Sequence, residues 1–120
     1  MSVVFSSLDQ SVVVSRNPDG SYSWSGQYRG ADIRHAMPNG DGKHCVLLLD
    51  PDASKRSTFQ NLLCIDREGN PIWTAKLPTS PDVFLDVTST SEGLLAKTWS
   101  GLNVLLDQHT GAELKRVFVK

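Results

Sequence analysis

The side chains able to do chemistry in this sequence are few and poorly grouped. Asp50-Pro51-Asp52 places two carboxylates one residue apart, which is how a divalent-cation site can begin. A hard cation wants more oxygen ligands than this pair supplies, and an Asp-Pro turn accounts for both residues. Asn39-Gly40-Asp41-Gly42 opens like a calcium loop but lacks the later bidentate Glu. Gly42-Lys43 lacks the earlier Gly and the following Ser or Thr of a phosphate-cradling loop. His35, His44 and His109 stand far apart without ligand spacing, although His35 and Asp86 can approach each other on adjacent inner strands. No Ser, Cys or Lys occupies a recognisable nucleophile setting. Cys45 and Cys64 read as free, buried thiols of a reducing cytoplasm rather than as a disulfide. The expectation is a protein with no catalytic residue, no metal and no cofactor.

Composition narrows the partners. The chain has 120 residues, the length of one domain, with 39% apolar and 21% charged residues. Its formal net charge of -1 provides no overall basic field for a nucleic-acid backbone. No apolar run approaches the ~20 residues of a membrane-spanning helix. Ser2-Val3-Val4-Phe5-Ser6 lacks the length, basic flank and cleavage site of a signal peptide. These readings predict a cytoplasmic protein that binds neither membrane nor nucleic acid.

The elements that must position any site are strands. Asn61 to Pro78 is an apolar run ending at Asp66, a turn through Gly69-Asn70-Pro71, and a second run centred on Trp73, the pattern of a β-hairpin. Cys45 to Leu49 is a continuous apolar run, as expected of a strand buried on both faces. Candidate strands recur about every 8–12 residues and no helix is evident, so the fold class is all-β. The hairpin has partial copies. Gly20 precedes Trp24 by the spacing that separates Gly69 from Trp73, and Asp107 stands before Gly111 much as Asp66 stands before Gly69. Aligning Asp32 with Asp82 and Gly42 with Gly93 gives a four-strand period of propeller-blade size.

Ile65-Asp66-x-x-Gly69-x-x-x-Trp73 and its partial copies resemble the repeat of quinoprotein-type (PQQ-like) β-propellers. That resemblance implies that Asp66, Gly69 and Gly20 shape turns while Trp24 and Trp73 dock against a neighbouring blade. The expected architecture is an open half β-propeller of about three antiparallel blades, the first truncated, over 3–28, 32–77 and 83–119. The last unit has Lys115 where the docking Trp would stand, as at the polar end of an open stack, which favours a monomer over a ring closed by two copies.

In such blades, loops between second and third strands share one rim with those joining blades. That rim would collect Asp9, Asp32, Asp50, Asp52 and Asp82, together with Trp99, against Arg29, Lys55 and Arg56. Carboxylates so gathered steer toward a basic protein partner. The chain also resembles the half-propeller immunity proteins of bacterial contact-dependent growth inhibition. That likeness implies a toxin inhibitor occluding the active site of a basic toxin such as a ribonuclease. The alternative is a homodimeric closed propeller acting as a small-molecule or structural scaffold.

Overall fold

A computed structural model of the chain describes residues 2–7, 10–19, 22–28, 30–38, 43–53 and 58–118. Its strands are β1 (Ser2–Ser7), β2 (Gln10–Arg16), β3 (Tyr22–Tyr28), β4 (Ala31–Pro38), β5 (His44–Leu49), β6 (Thr58–Phe59), β7 (Leu62–Asp66), β8 (Pro71–Thr74), β9 (Asp82–Thr90), β10 (Gly93–Thr98), β11 (Leu102–Leu106) and β12 (Glu113–Phe118). The one departure from strands and loops among the described residues is a single 3-10 turn at Pro51–Ala53. The all-β, open half-propeller expectation holds.

Hydrogen bonding orders the strands as β1-β2-β3-β4-β5-β7-β8 in one sheet and β12-β11-β10-β9-β6 in the other. β3 and β4 share only the pairs Gln27↔Asp32 and Tyr28↔Ala31, so the first three strands join the rest through a short ladder. Strands β4, β5, β7 and β8 form one antiparallel meander and β9–β12 another.

Side chains on a strand alternate between faces, and here both faces of one strand are covered. Cys45, Leu47 and Leu49 of β5 pack with Val12, Val14, Tyr28, Leu63 and Ile65. Val46 and Leu48 face the other way, into a second core with Leu62, Cys64, Trp73, Phe84, Leu94, Val104 and Leu106. Strand β5 therefore belongs to both cores, as its unbroken apolar run predicts. The alternation also separates the two thiols. Val46, not Cys45, lies opposite Cys64, so the cysteines face different cores and both are free. Burial pushes the Cys45 thiol up to about 12, with the neighbouring Cys64 adding to the shift and a backbone hydrogen bond with Met37 opposing it.

The loop after β5 holds a feature that its residue types do not announce. Strand β6 pairs in parallel with the start of β9, through Thr58↔Asp82 and Phe59↔Val83. The chain then buries Asn61 completely. The Asn61 amide nitrogen donates to the carbonyl oxygens of Leu49 (2.9 Å) and Phe84 (2.8 Å), while its Oδ1 accepts from the Phe84 N–H (2.9 Å). One side chain thus ties the end of β5 to the innermost strand of the next unit.

Two turns have the chemistry that the repeat implied. Asp66 Oδ1 accepts from the N–H groups of Glu68 and Asn70, both at 2.9 Å. Asp107 Oδ1 likewise accepts from His109 (2.7 Å) and Thr110 (3.2 Å). Gly111, at φ +72°, lies under the Trp73 ring, where a Cβ would fall 2.4 Å from Trp73 Cε3. The Trp73 indole N–H donates to the Gln108 carbonyl at 3.2 Å, so Trp73 docks on the next unit's turn.

Trp24 is placed differently. Its indole N–H donates to the Ile33 carbonyl on β4 at 3.0 Å, and its ring meets His35 edge-on with centroids 5.0 Å apart. Tyr28, not Trp24, reaches the Gly69 turn, donating its hydroxyl to the Gly69 carbonyl at 3.1 Å. Gly20 lies outside the described residues.

Candidate partner-binding rim and terminal face

Three of the five expected rim carboxylates come together. The Asp50 N–H donates to the Asp32 carbonyl (2.8 Å), which sets the end of β5 against the start of β4. Asp50 Oδ1 then accepts from the Asp52 N–H at 2.9 Å, capping the 3-10 turn. Asp32 and Asp52 are exposed and Asp50 is half-buried. The Asp32 carboxylate accepts from Gln27 Nε2 at 2.7 Å. The 3-10 turn packs beside β9, whose neighbour β10 ends at Thr98, one residue before Trp99. Among the described residues no three His, Cys, Asp or Glu side chains converge as metal ligands. Asp9, Arg29, Lys55 and Arg56 lie outside the described residues.

Asp82 does not join the exposed rim as expected. It is 3% exposed, and its carboxylate accepts from the Thr79 hydroxyl, the Ser100 hydroxyl (2.7 Å) and the N–H groups of Val83 (2.9 Å) and Ser100 (3.1 Å). Burial acts to raise its carboxyl pKa, but these hydrogen bonds outweigh it and hold the group below the ordinary carboxylate range. Asp82 organises the β10–β11 turn and offers no free oxygen edge to a partner. The reason lies in two β-bulges. Ile33 pairs with Leu49 and His35 with Leu48, leaving Arg34 as the extra residue. Phe84 pairs with Thr98 and Asp86 with Lys97, leaving Leu85 extra. Matching the bulges sets Asp82 against buried Ala31 and Val83 against exposed Asp32, one residue away from the alignment of the two aspartates.

His35 is half-buried against Trp24. Burial lowers its pKa and the Asp86 carboxylate acts in the opposite direction, so the pair do sense each other across the inner strands. Asp86 accepts from the N–H of Val87 (2.9 Å) and stands opposite Lys97 in the sheet.

Beside the rim lies the outer face of the last sheet. Cross-strand pairing puts Thr88, Leu95, Leu105 and Lys115 on one rung of this face, and Asp86, Lys97, Asn103 and Val117 on the next. Leu94, Ala96, Val104 and Leu106 point the other way, into the core. Thr98 turns inward, and Trp99 returns to the outer side with 68% of its surface exposed. Val117 (58%) and Leu95 (38%) are open too, with Leu85 at the adjoining bulge. Alternation puts polar residues on a solvated face, so an exposed Leu95 at an outward position is a signal legible in the residue pattern, while Leu105 on the same rung is buried. The corresponding face of the first sheet carries Val13 opposite Ser25 and Ser15 opposite Ser23, with Gln27 next in alternation. One end of the arc is serine-rich, while the other carries Leu, Val and Trp.

A family profile described as a domain of unknown function, DUF7957, matches residues 32–118. The chain belongs to the DUF7957 family. The matched span begins within β4 and ends with β12, so it takes in both meanders and leaves out β1–β3. No curated protein matches this DUF7957 chain at a significant level. Among solved structures, BamB from Moraxella catarrhalis, a PQQ-like β-propeller-type protein, superposes over 98% of this chain with a TM-score of 0.55 and 18% identity. The chain spans 34% of that protein's length. At this identity the likeness carries the propeller fold alone, and it agrees with the resemblance of the Asp66–Trp73 turn.

Proposed function

We propose that this protein is a non-catalytic protein-binding module, a bacterial immunity protein that neutralises a basic toxin in the cytoplasm. The partner covers the outer face of the last sheet, with Trp99 as its anchor, and meets Asp32, Asp50 and Asp52 along the adjoining rim. The observation carrying this reading is the exposure of Trp99, Val117 and Leu95 together on one unpartnered sheet face. Exposed aromatic residues beside apolar neighbours are the usual anchors of protein interfaces. The three carboxylates favour a partner whose cleft binds phosphates, such as a ribonuclease, and inhibition follows from occlusion and charge mimicry. The serine-rich first face supports an open arc over a ring, because head-to-tail closure would set Leu95 and Val117 against Ser23 and Ser25.

The test pairs the chain with the protein encoded by its neighbouring reading frame and measures the complex by native mass spectrometry. A one-to-one complex that is lost in Trp99→Ala and weakened in Asp50→Lys/Asp52→Lys is expected. No complex, or variants that bind as well as the unaltered chain, would refute the proposal. Light scattering separates the other reading, since a stable homodimer at micromolar concentration would favour the ring.

A further inference from the structure

A second recessed surface lies away from the rim, on the outer side of the arc. Between the chain leaving β8 and the start of β12 is a crevice of about 520 Å³, lined among others by Thr74, Lys76, Leu77, Glu113 and Arg116. Its volume falls within the range of ligand-binding clefts, about 300–1,000 Å³.

Three observations define what would fit there. The first is an open strand edge. The Ala75 N–H donates to the Leu62 carbonyl at 2.9 Å, inward, toward β7. Because alternate residues of an antiparallel strand point their backbone groups to opposite sides, those of Thr74 and Lys76 face outward, along the crevice. The second is charge. Glu113 is already neutralised, accepting from Arg116 Nη2 (2.8 Å) and Nε (3.0 Å). Lys76 is exposed and meets no acidic side chain among the described residues. The crevice therefore carries a net positive charge on a chain whose total is -1. The third is the apolar patch of Leu77, Pro78 and Ala112 between these charges. It suits the backbone and short side chains of an extended segment.

We infer that the crevice between β8 and β12 receives an extended acidic peptide segment of a protein partner. The segment adds to the free edge of β8 and the residues just after it by backbone hydrogen bonds with Thr74 and Lys76. Its carboxylates meet Lys76, since Arg116 is held by Glu113 and the Pro78 carbonyl. Main-chain pairing provides affinity in this mode of recognition, and side-chain charge provides selection. The site is opposite in sign to the rim and stands independently of the toxin-neutralisation reading.

The test uses the full chain and a fluorescent decapeptide of alternating Glu and Thr, with the Gln/Thr decapeptide and inorganic phosphate as controls. Fluorescence anisotropy at low salt is expected to show saturable binding of the acidic peptide, with the Thr74 and Lys76 amide resonances shifting in parallel. Lys76→Glu should weaken binding about tenfold, the loss of one charge-assisted contact. Lys97→Glu, an exposed lysine on the terminal face, should leave it unchanged. No saturation at millimolar peptide would overturn the inference. So would equal binding of the Gln/Thr peptide, equal loss in both lysine variants, or complete displacement by millimolar phosphate, which would mark a small-anion site.

Discussion

Replacing Asn61 tests the account of how the two meanders are joined. Asn61→Ala removes one acceptor and two donated hydrogen bonds at a site with no solvent exposure. The Phe84 N–H and the carbonyls of Phe84 and Leu49 lose their side-chain partner. A buried polar group left unsatisfied costs about 1–3 kcal/mol, and partial relaxation makes three such losses less than additive. The expected loss is about 3–5 kcal/mol, a large share of the roughly 5–15 kcal/mol that stabilises a typical domain. Asn61→Asp keeps the shape but turns the donor into an acceptor facing two carbonyl oxygens. At neutral pH it should cost at least as much as alanine. Acid returns a donor by protonating the carboxyl, so this variant should recover relative to the unaltered chain as the pH falls. Urea unfolding followed by tryptophan fluorescence measures both. If Asn61→Ala fell within about 0.5 kcal/mol of the unaltered protein, the range of a neutral surface change, the clamp would not exist as described.

Other consequences are smaller but separable. Gly111→Ala should cost about 2–4 kcal/mol, combining left-handed strain with displacement of the Trp73 ring. Gly30→Ala, at φ +79° with nothing within 4 Å, should show the strain alone, so the gap between their thermal midpoints isolates the ring contact. Asp82 has a depressed pKa, so its contribution is present above the unfolded value near ~3.9 and disappears as the pH falls through the folded value. The stability difference between the unaltered chain and Asp82→Asn should therefore be largest at neutral pH and narrow below about pH 4, as urea titrations at several pH values would register. Cys45 works in the other direction: its stabilising effect holds below the unfolded thiol pKa and declines as the pH rises toward about 12. Iodoacetamide at pH 8 should leave both thiols unmodified in the folded protein and alkylate both in urea, read by intact mass.

The strands were legible where burial is simple. The run from Cys45 to Leu49 could be assigned because a strand with two covered faces has no polar alternation to disguise it. The Asp66–Gly69 turn was legible because its geometry depends on local side-chain bonds, which residue types announce. Long-range features were not. Asn61 reads as a turn residue in a polar loop, and only its placement between Leu49 and Phe84 makes it a clamp. Asp32 and Asp82 looked equivalent because bulges at Arg34 and Leu85 are invisible to alignment by residue type. The shift of one position moves an aspartate from the surface to the interior. Trp24 keeps the spacing of Trp73 and also meets the next unit, but on strand β4 rather than on the turn, which Tyr28 reaches.

The position of β5 in two cores also bears on how the molecule comes apart. In stacked repeats each unit contacts only its neighbours, so stability passes along the array by nearest-neighbour coupling. Here the middle unit transmits that coupling through two paired strands, the buried residues Cys45–Leu49 of β5 and 62–65 of β7, whose side chains alternate between the first core and the second. The strands at either end can open without exposing both cores, but β5 and β7 cannot. The amides of this pair should be the slowest to exchange with solvent, opening only when the whole arc unfolds.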